Sequence, residues 1–378
     1  MKKAIGLGLM ACWLSGAAGE RRDAPVYGGD SDNIDAMIAE ACLPGGSRTV
    51  TLGRNPQRED GVWMTTRAIL LPDDFTLVLD GCRVELAPGT RDNIIRNAGA
   101  LGYRRVTPNR NIRVLGRGEA VLCGGKANHF APTRSGDWNG WRSMGILFAS
   151  VTDYELAGFT MEETQCWGIS QEYGCSRGHV HDIRFRDTNK MLNQDGVDVR
   201  KGCHDIVIEN ISGVCGDDMV ALTGLRKPKG TPQTKGFSGY QLSGVWEEAD
   251  DDIANIVIRN IRARSAGGHG IVRLLTQDGI RMHHIVISNV VETADAAKGE
   301  PTCKATLRIG DRGYWSIRCC EMGEMSDITV RDVKSASKVG VLIRGMLADS
   351  SVCGITVPAG AERYRIDAPI RNVRLDEP

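Results

Sequence analysis

The sequence is poor in proline and has no net charge. Among its 378 residues there are 13 prolines, and 47 lysine and arginine side chains balance 47 aspartate and glutamate side chains. This balance excludes the basic field that is typical of a nucleic-acid-binding surface. It also provides no long-range attraction for an acidic polymer, so any affinity for one must be local.

Long apolar runs are missing beyond the N-terminus, so no later segment is predicted to cross a bilayer. The chain begins "MKKAIGLGLMACWLSGAAGE", with two lysines, an apolar stretch over residues 4–14 and small residues up to Gly19. This pattern is typical of a secretory signal peptide. We therefore expect residues 1–19 to be removed and the protein to be secreted or periplasmic. A lipoprotein anchor at Cys12 is the less favoured alternative, because the apolar run continues past it.

The twelve cysteines include no C-x-x-C pair, which argues against a zinc site. In an exported protein cysteines can form disulfides, and Cys166 and Cys175 are the nearest plausible couple. We favour the alternative that most of the cysteines are small apolar core residues. No metal or cofactor is predicted.

A recurring apolar pattern is the strongest structural signal in the sequence. It repeats as "YELAGF" (154–159), "IVIENI" (206–211), "IVIRNI" (256–261), "IVISNV" (285–290) and "ITVRDV" (328–333), with "IRFRDT" (183–188) as a weaker copy. Each copy is followed by a second short apolar strand. Short strand-rich units that return every 20–30 residues with hardly any helical periodicity indicate a solenoid.

A β-sandwich with regular strands is the alternative to a solenoid. The Asn or Asp that follows the Ile/Val alternation fits stacked coils better, because these residues suit a tight turn after each strand. They are Asn210, Asn260, Asn289 and Asp332. Proline is sparse in the repeats, as ladder pairing requires. We predict an all-β protein in which residues 20–378 form a single right-handed parallel β-helix.

Two segments depart from the repeat. "DSDNIDAMIAEAC" (30–42) has apolar positions at helical spacing, so we expect an amphipathic helix that caps the open end of the solenoid, with Ser31 or Asp32 as its N-cap. A polar stretch (225–236) and an acidic run (247–252) indicate an insertion at about 223–252. We expect this insertion to overhang the groove of the solenoid.

Three aspartates are the first candidates for chemistry. Asp195 and Asp218 lie 23 residues apart, which would place them with Asp217 on adjacent rungs about 4.8 Å apart. Like charges at that distance raise at least one pKa. One protonated and one ionised carboxyl are what glycoside hydrolysis requires. Calcium binding and Asp turn chemistry remain alternatives.

Further candidate residues follow along the chain. His269 lies between glycines in "GGHG", where it could tune the protonation of an acid or bind a sugar. Arg308, in "LRIG", is a candidate for binding a carboxylate or hydroxyl groups.

The order of these motifs resembles glycoside hydrolase family 28, the polygalacturonases. That family's Asn-Thr-Asp, Gly-Asp-Asp, Gly-His-Gly and Arg-Ile-Lys match "NQD" (193–195), "GDD" (216–218), "GHG" (268–270) and "RIG" (308–310) here. The resemblance covers roughly residues 25–350. It implies a right-handed parallel β-helix and an inverting glycosidase.

The resemblance also implies roles for single residues. It makes Asp217 the general acid, Asp195 and Asp218 the pair that activates water, and His269 the support for the acid. Asn193 and Arg308 are then expected to bind substrate.

Two positions depart from the family pattern. Threonine is replaced by Gln194, and the lysine expected to bind a uronate carboxylate is replaced by Gly310. Candidates to supply the missing charge are Arg273, Lys304 and Arg312.

We therefore predict an exported, monomeric glycosidase that cleaves a pectin-like polysaccharide of the galacturonan or rhamnogalacturonan type. The alternatives are a polysaccharide lyase on the same fold and a non-catalytic carbohydrate-binding β-helix.

Overall fold

The fold was determined as a computed structural model that describes residues 29–102, 105–128, 143–187, 191–200, 202–225, 252–277, 279–311 and 320–376. The predicted signal peptide, Cys12, Arg312 and most of the predicted insertion (226–251) lie outside these residues. No helix in the described ranges is long and apolar enough to span a membrane.

The described chain consists of one α-helix, α1 (Asp30–Ala41), followed by β-strands. The first fourteen strands are β1 (Thr49–Leu52), β2 (Val62–Thr65), β3 (Ile69–Leu71), β4 (Phe75–Asp80), β5 (Arg83–Leu86), β6 (Ile95–Asn97), β7 (Ala100–Gly102), β8 (Arg105–Val106), β9 (Asn109–Arg117), β10 (Val121–Cys123), β11 (Ile146–Ala149), β12 (Val151–Ala157), β13 (Thr160–Glu162) and β14 (Ile169–Glu172).

The second half continues the same pattern with longer strands. They are β15 (Ser176–Arg186), β16 (Val197–Arg200), β17 (His204–Cys215), β18 (Asp218–Gly224), β19 (Ile253–Ser265), β20 (Gly270–Thr276), β21 (Met282–Glu292), β22 (Leu307–Ile309), β23 (Met325–Lys334), β24 (Val339–Ile343), β25 (Leu347–Val352), β26 (Ile355–Thr356), β27 (Glu362–Ile366) and β28 (Ile370–Leu375). Single 3₁₀ turns lie at Lys126–Asn128 and Ala296–Lys298.

Two large parallel sheets run the length of the molecule. In the sixteen-stranded sheet, here called the outer sheet, eleven strands follow the order β1-β4-β9-β12-β15-β17-β19-β21-β23-β25-β28. The ten-stranded sheet, here called the groove sheet because it carries the candidate residues Asp218, Arg273 and Arg308, has the order β3-β6-β11-β14-β16-β18-β20-β22-β24-β27. From β14 to β24 successive strands alternate between the two sheets, so each coil adds one strand to each sheet. This confirms the predicted right-handed parallel β-helix.

Stacked isoleucines build the core between the sheets. Ile206, Ile256, Ile285 and Ile328 pair in register on four successive coils, and all four are fully buried. Parallel strands stack identical positions directly above one another, so a β-branched residue repeated in each coil forms a continuous apolar column. The repeat alignment over these four copies is confirmed.

The weaker copy of the repeat was aligned wrongly. Ile183 pairs with Ile211, whereas the partner of Ile206 is Gly178. A glycine takes the isoleucine position because the ring of Tyr154 fills the space: a Cβ on Gly178 would lie 2.1 Å from Tyr154 Cζ. The Tyr154 hydroxyl donates a hydrogen bond to Gln171 inside the core.

The asparagines expected in turns instead lie within the outer strands. Asn210, Asn260 and Asn289 have φ of 55°, 58° and 52°, and they bend their strands without ending them. Asn260 Nδ2 donates to Asn210 Oδ1 at 3.0 Å, and Asn289 Nδ2 donates to Asn260 Oδ1 at 2.9 Å. Each amide therefore bonds the one on the preceding coil, which forms a ladder along the surface.

Helix α1 covers the N-terminal end of the core, as predicted. Ile34, Ile38 and Ala41 are buried in the same apolar cluster as the first strands. The expected N-cap was wrong, because Gly29 is the N-cap residue and no side chain caps the backbone N–H groups of the first turn. Asp30 is buried instead and accepts hydrogen bonds from Asn55 Nδ2 and from the backbone N–H of Met64.

The cysteines serve mainly as small core residues, as favoured from the sequence. Cys82, Cys203 and Cys215 are buried in the main apolar cluster. Cys166 and Cys175 are separate thiols, so the disulfide considered between them is not formed. Cys175 Sγ lies 3.4 Å from the carbonyl oxygen of Phe148, to which it donates.

Candidate active site

The adjacent Asp217 and Asp218 lie where the chain enters the groove sheet. Strand β17 ends at Cys215 and β18 begins at Asp218, so Asp217 is outside a regular strand. The next two residues, Met219 and Val220, both pack into the core. Because these two consecutive side chains both point into the core, the alternation of a regular strand is broken here. The side chain of Asp218 therefore lies on the face of the groove sheet that is turned away from the core. The chain can therefore present both carboxyl groups outside the core.

Asp217 is held by a histidine and a backbone amide. His269 Nδ1 lies 3.1 Å from Asp217 Oδ1, and the backbone N–H of Asn193 donates to Asp217 Oδ2 at 2.8 Å. Burial and then the charge of Asp218 raise the pKa of Asp217, while His269, the Asn193 amide and Arg273 oppose that rise. A raised pKa keeps a carboxyl protonated at higher pH, which suits a general acid.

Asp218 faces an arginine on the next coil. Arg273 Nη1 lies 3.5 Å from Asp218 Oδ2, and both side chains are nearly buried. Gly270 pairs with Asp218, and a Cβ at that glycine would lie 2.8 Å from Asp218 Oδ1. The last glycine of "GHG" therefore makes room for the carboxyl group.

Asp195 lies one coil before this pair and is buried. Burial raises its pKa well above the usual range, and the charges of Asp198, Asp217 and Asp218 raise it further. Its Oδ1 atom is buried without a hydrogen-bond partner among the described residues. Four carboxyl groups that interact this strongly cannot all carry a charge, because an unpaired buried charge is too costly.

The fourth of these carboxyls, Asp198, was missed from the sequence. It lies in β16, where it pairs with Ser170 and Ala221 on the neighbouring rungs. Burial raises its pKa well above the usual range, although Arg200 opposes the rise. The signal that could have revealed Asp198 is the sequence "VDV", in which a charged residue alternates with two core valines.

Arg308 and Arg273 both form ion pairs with Asp311, a carboxylate that sequence reasoning also missed. Asp311 Oδ2 lies 3.0 Å from Arg308 Nη2 and 3.2 Å from Arg273 Nη2. Arg273 therefore bridges Asp218 and Asp311. The predicted substrate-binding arginines are thus brought to the aspartate cluster, and each is paired with a carboxylate.

The remaining sequence candidates occupy different environments. Lys304 is exposed, and its backbone N–H donates to the carbonyls of Gly268 and His269 at 3.0 and 3.3 Å. Asn193 is partly buried and holds Asp217 through its backbone N–H. Gln194 is fully buried, and its Nε2 donates to the carbonyl of Thr164 at 2.7 Å. Gln194 therefore has a packing role, which fits a mild departure from the family motif.

In the part of the chain that the structure describes, no group of three or more His, Cys, Asp or Glu side chains is arranged to hold a metal ion.

Comparison with known proteins identifies the architecture. No family model and no curated protein matches the sequence. Among solved structures, the polygalacturonase from Erwinia carotovora ssp. carotovora superposes with a TM-score of 0.52 at 14% identity, covering 92% of this chain and 93% of that one. The chain has the polygalacturonase-like fold.

Two further solved structures are similar to this chain. A hyperthermoactive exopolygalacturonase from Thermotoga maritima gives a TM-score of 0.48 at 13% identity, with 92% and 95% coverage. A mutant of the tailspike protein of E. coli bacteriophage HK620, in complex with a pentasaccharide, gives a TM-score of 0.54 at 13% identity and covers 91% of this chain. The chain covers 60% of that tailspike. At these identities the likeness establishes the fold alone.

Proposed function

We propose that this protein is an exported inverting glycoside hydrolase that acts on a pectin-like polysaccharide. The observation that carries the proposal is Asp217, a largely buried acid of raised pKa 3.1 Å from His269, next to Asp218 and its arginine partner. A carboxyl group that holds a proton can act as the acid, and a neighbouring carboxylate whose charge is balanced by an arginine can act as the base.

Asp217 acts as the general acid and protonates the oxygen of the leaving sugar. Its raised pKa keeps the proton available, and His269 orients the carboxyl group through Oδ1. The Asn193 amide fixes the other oxygen, so the group can turn little before it donates its proton.

Asp218 and Asp195 act as the pair that activates water. Arg273 provides a positive charge next to Asp218, whereas burial and neighbouring acids disfavour a charge on Asp195. Asp218 is therefore the group that accepts the proton of the water, and Asp195 helps to position that water. Attack from the side opposite the leaving group inverts the anomeric carbon.

Two alternatives use the same fold. A lyase would abstract a proton with an arginine or lysine base, but Arg273 and Arg308 are engaged with carboxylates. A purely binding protein has no reason to collect four interacting carboxyls whose buried charges are costly. The clustering of Asp195, Asp198, Asp217 and Asp218 therefore favours hydrolysis.

The test is to incubate the purified mature protein with a panel of pectic polysaccharides and oligosaccharides and to measure new reducing ends. Asp217→Asn should lower the rate by about 10²- to 10⁴-fold. Asp349→Asn is the matched control, because Asp349 is exposed on the outer sheet and should leave the rate unchanged.

Proton NMR of the first product should show the inverted anomer. An unsaturated, ultraviolet-absorbing product would establish a lyase. No release from any substrate, with binding intact in wild type and Asp217→Asn, would establish a binding protein.

A further inference from the structure

Cys175 and Cys203 occupy the same position on neighbouring coils. Each cysteine directly precedes a strand of the outer sheet, and the residues that follow them, Ser176 and His204, pair with each other. The backbone N–H of His204 donates a hydrogen bond to the carbonyl oxygen of Cys175 at 3.1 Å. Neighbouring strands lie about 4.8 Å apart, so the two Cα atoms fall within the range of about 4.4–6.8 Å that disulfides require.

The two thiols also have the same orientation. Cys175 Sγ lies 3.4 Å from the carbonyl oxygen of Phe148, and Cys203 Sγ lies 3.3 Å from the carbonyl oxygen of Gln171. Because Phe148 and Gln171 pair on neighbouring strands of the groove sheet, the second contact repeats the first one coil later. The two sulfur atoms are therefore stacked inside the core. Burial, and next a hydrogen bond with the Cys175 thiol, raise the pKa of Cys203.

Neither thiol is available to a solute once the protein has folded. Both cysteines are 0% exposed, and a thiol that serves as a nucleophile or sensor must be accessible. Both lie in the main apolar cluster of the core. Any oxidation of this pair must therefore take place while the chain folds, before the two coils close.

We propose that Cys175 and Cys203 form a disulfide that joins two coils when the chain folds in an oxidising medium. An exported protein, as proposed above, meets such a medium. The oxidant is a small disulfide such as oxidised glutathione. One cysteine thiolate attacks it to form a mixed disulfide and releases one glutathione thiol. The second cysteine then displaces the other glutathione, so the two protons and two electrons lost by the protein are recovered as two glutathione thiols.

The bond closes a loop that contains Asp195. Strand β16 also lies between the two cysteines in the chain, so the closed loop is a complete coil of the solenoid. A crosslink of this kind removes conformational freedom from the unfolded chain. The oxidised protein should therefore melt about 3–8 °C above the reduced protein.

The test unfolds the purified protein in reductant and refolds it either with reduced and oxidised glutathione or with reductant alone. Free thiols are then alkylated, and proteolytic peptides are mapped by mass spectrometry without reduction. A pair of peptides linked through Cys175 and Cys203 should appear only in the oxidised sample and should separate on reduction. Thermal melting of the two samples measures the stabilisation.

Two variants serve as controls. Cys203→Ala should leave Cys175 alkylated and should lose most of the melting difference between the two media. Cys82→Ala, which removes another buried cysteine of the same apolar cluster, should keep both the link and the melting difference.

Three results would overturn the proposal. They are alkylation of both Cys175 and Cys203 after oxidation, a link from either one to a third cysteine, and a link that leaves the melting temperature unchanged. If Cys203→Ala does not fold, the peptide map and melting of the wild type still decide the question. None of these measurements uses hydrolysis, so they do not depend on the proposed enzymatic function.

Discussion

A single methyl group added at Gly310 should destabilise the protein by about 2–5 kcal/mol. The left-handed φ of 73° costs an L-residue about 1–2 kcal/mol. The new Cβ would also lie 2.3 Å from Gly345 Cα, and relieving that overlap requires a shift of two packed strands, at about 1–3 kcal/mol. Gly345 cannot yield by a side-chain rotation, because the overlapping atom belongs to the backbone.

The matched control is Gly299→Ala. Gly299 has nearly the same φ, 74°, but nothing lies within 4 Å of the position that its methyl group would take. It should cost only the conformational part, about 1–2 kcal/mol. Equilibrium urea unfolding of both variants measures the difference directly. Equal destabilisation of the two variants would refute the claim that the coil-to-coil contact excludes a side chain at Gly310.

Three further predictions concern buried acidic groups and the residues that contact them. Burial raises the pKa of Asp187 to about 8, so the wild type should lose stability relative to Asp187→Asn as the pH rises from about 4 to 8; a melting-temperature difference that is constant with pH would contradict this. His269 lowers the pKa of Asp217, so His269→Gln should move the alkaline limb of the kcat profile to higher pH while lowering kcat at the optimum; an unmoved or lowered limb would argue against it. Glu292 accepts hydrogen bonds from the backbone N–H groups of Cys303 and Ala336, so Glu292→Ala should cost about 2–6 kcal/mol in urea unfolding, and a cost below about 1 kcal/mol would show that water replaces them.

The architecture could be predicted from sequence because a parallel solenoid stacks equal positions. The isoleucine copies from Ile206 onward fall in register, and their shared apolar pattern reveals the pairing although the spacing between copies varies. The prediction failed at Gly178, where the pattern asks for an apolar residue and the ring of Tyr154 supplies it from the preceding coil. A linear pattern does not show that a neighbouring coil has filled the position.

The candidate site was likewise predicted only in part from the sequence. The structure brings together four residues that belong to short sequence motifs: Asp195, Asp217, Asp218 and His269. Asp311 has no motif, because its significance arises from two arginines that lie on separate coils. Reading single strands therefore found the acids but missed the carboxylate that organises the arginines.

The amide ladder on the outer sheet has a consequence for how such a chain can change in evolution. Each asparagine must meet its partner on the preceding coil, so a residue inserted within an outer strand would move its asparagine out of line. The turns between strands can vary in length, since Asp182 and Asn210 bond across 28 residues and Asn260 and Asn289 bond across 29. By contrast, the long segment between β18 and β19 leaves Ile206 and Ile256 in register. In this fold a whole loop between strands is a smaller perturbation than a single residue inserted within a strand, so lineages should differ by loops and by entire coils.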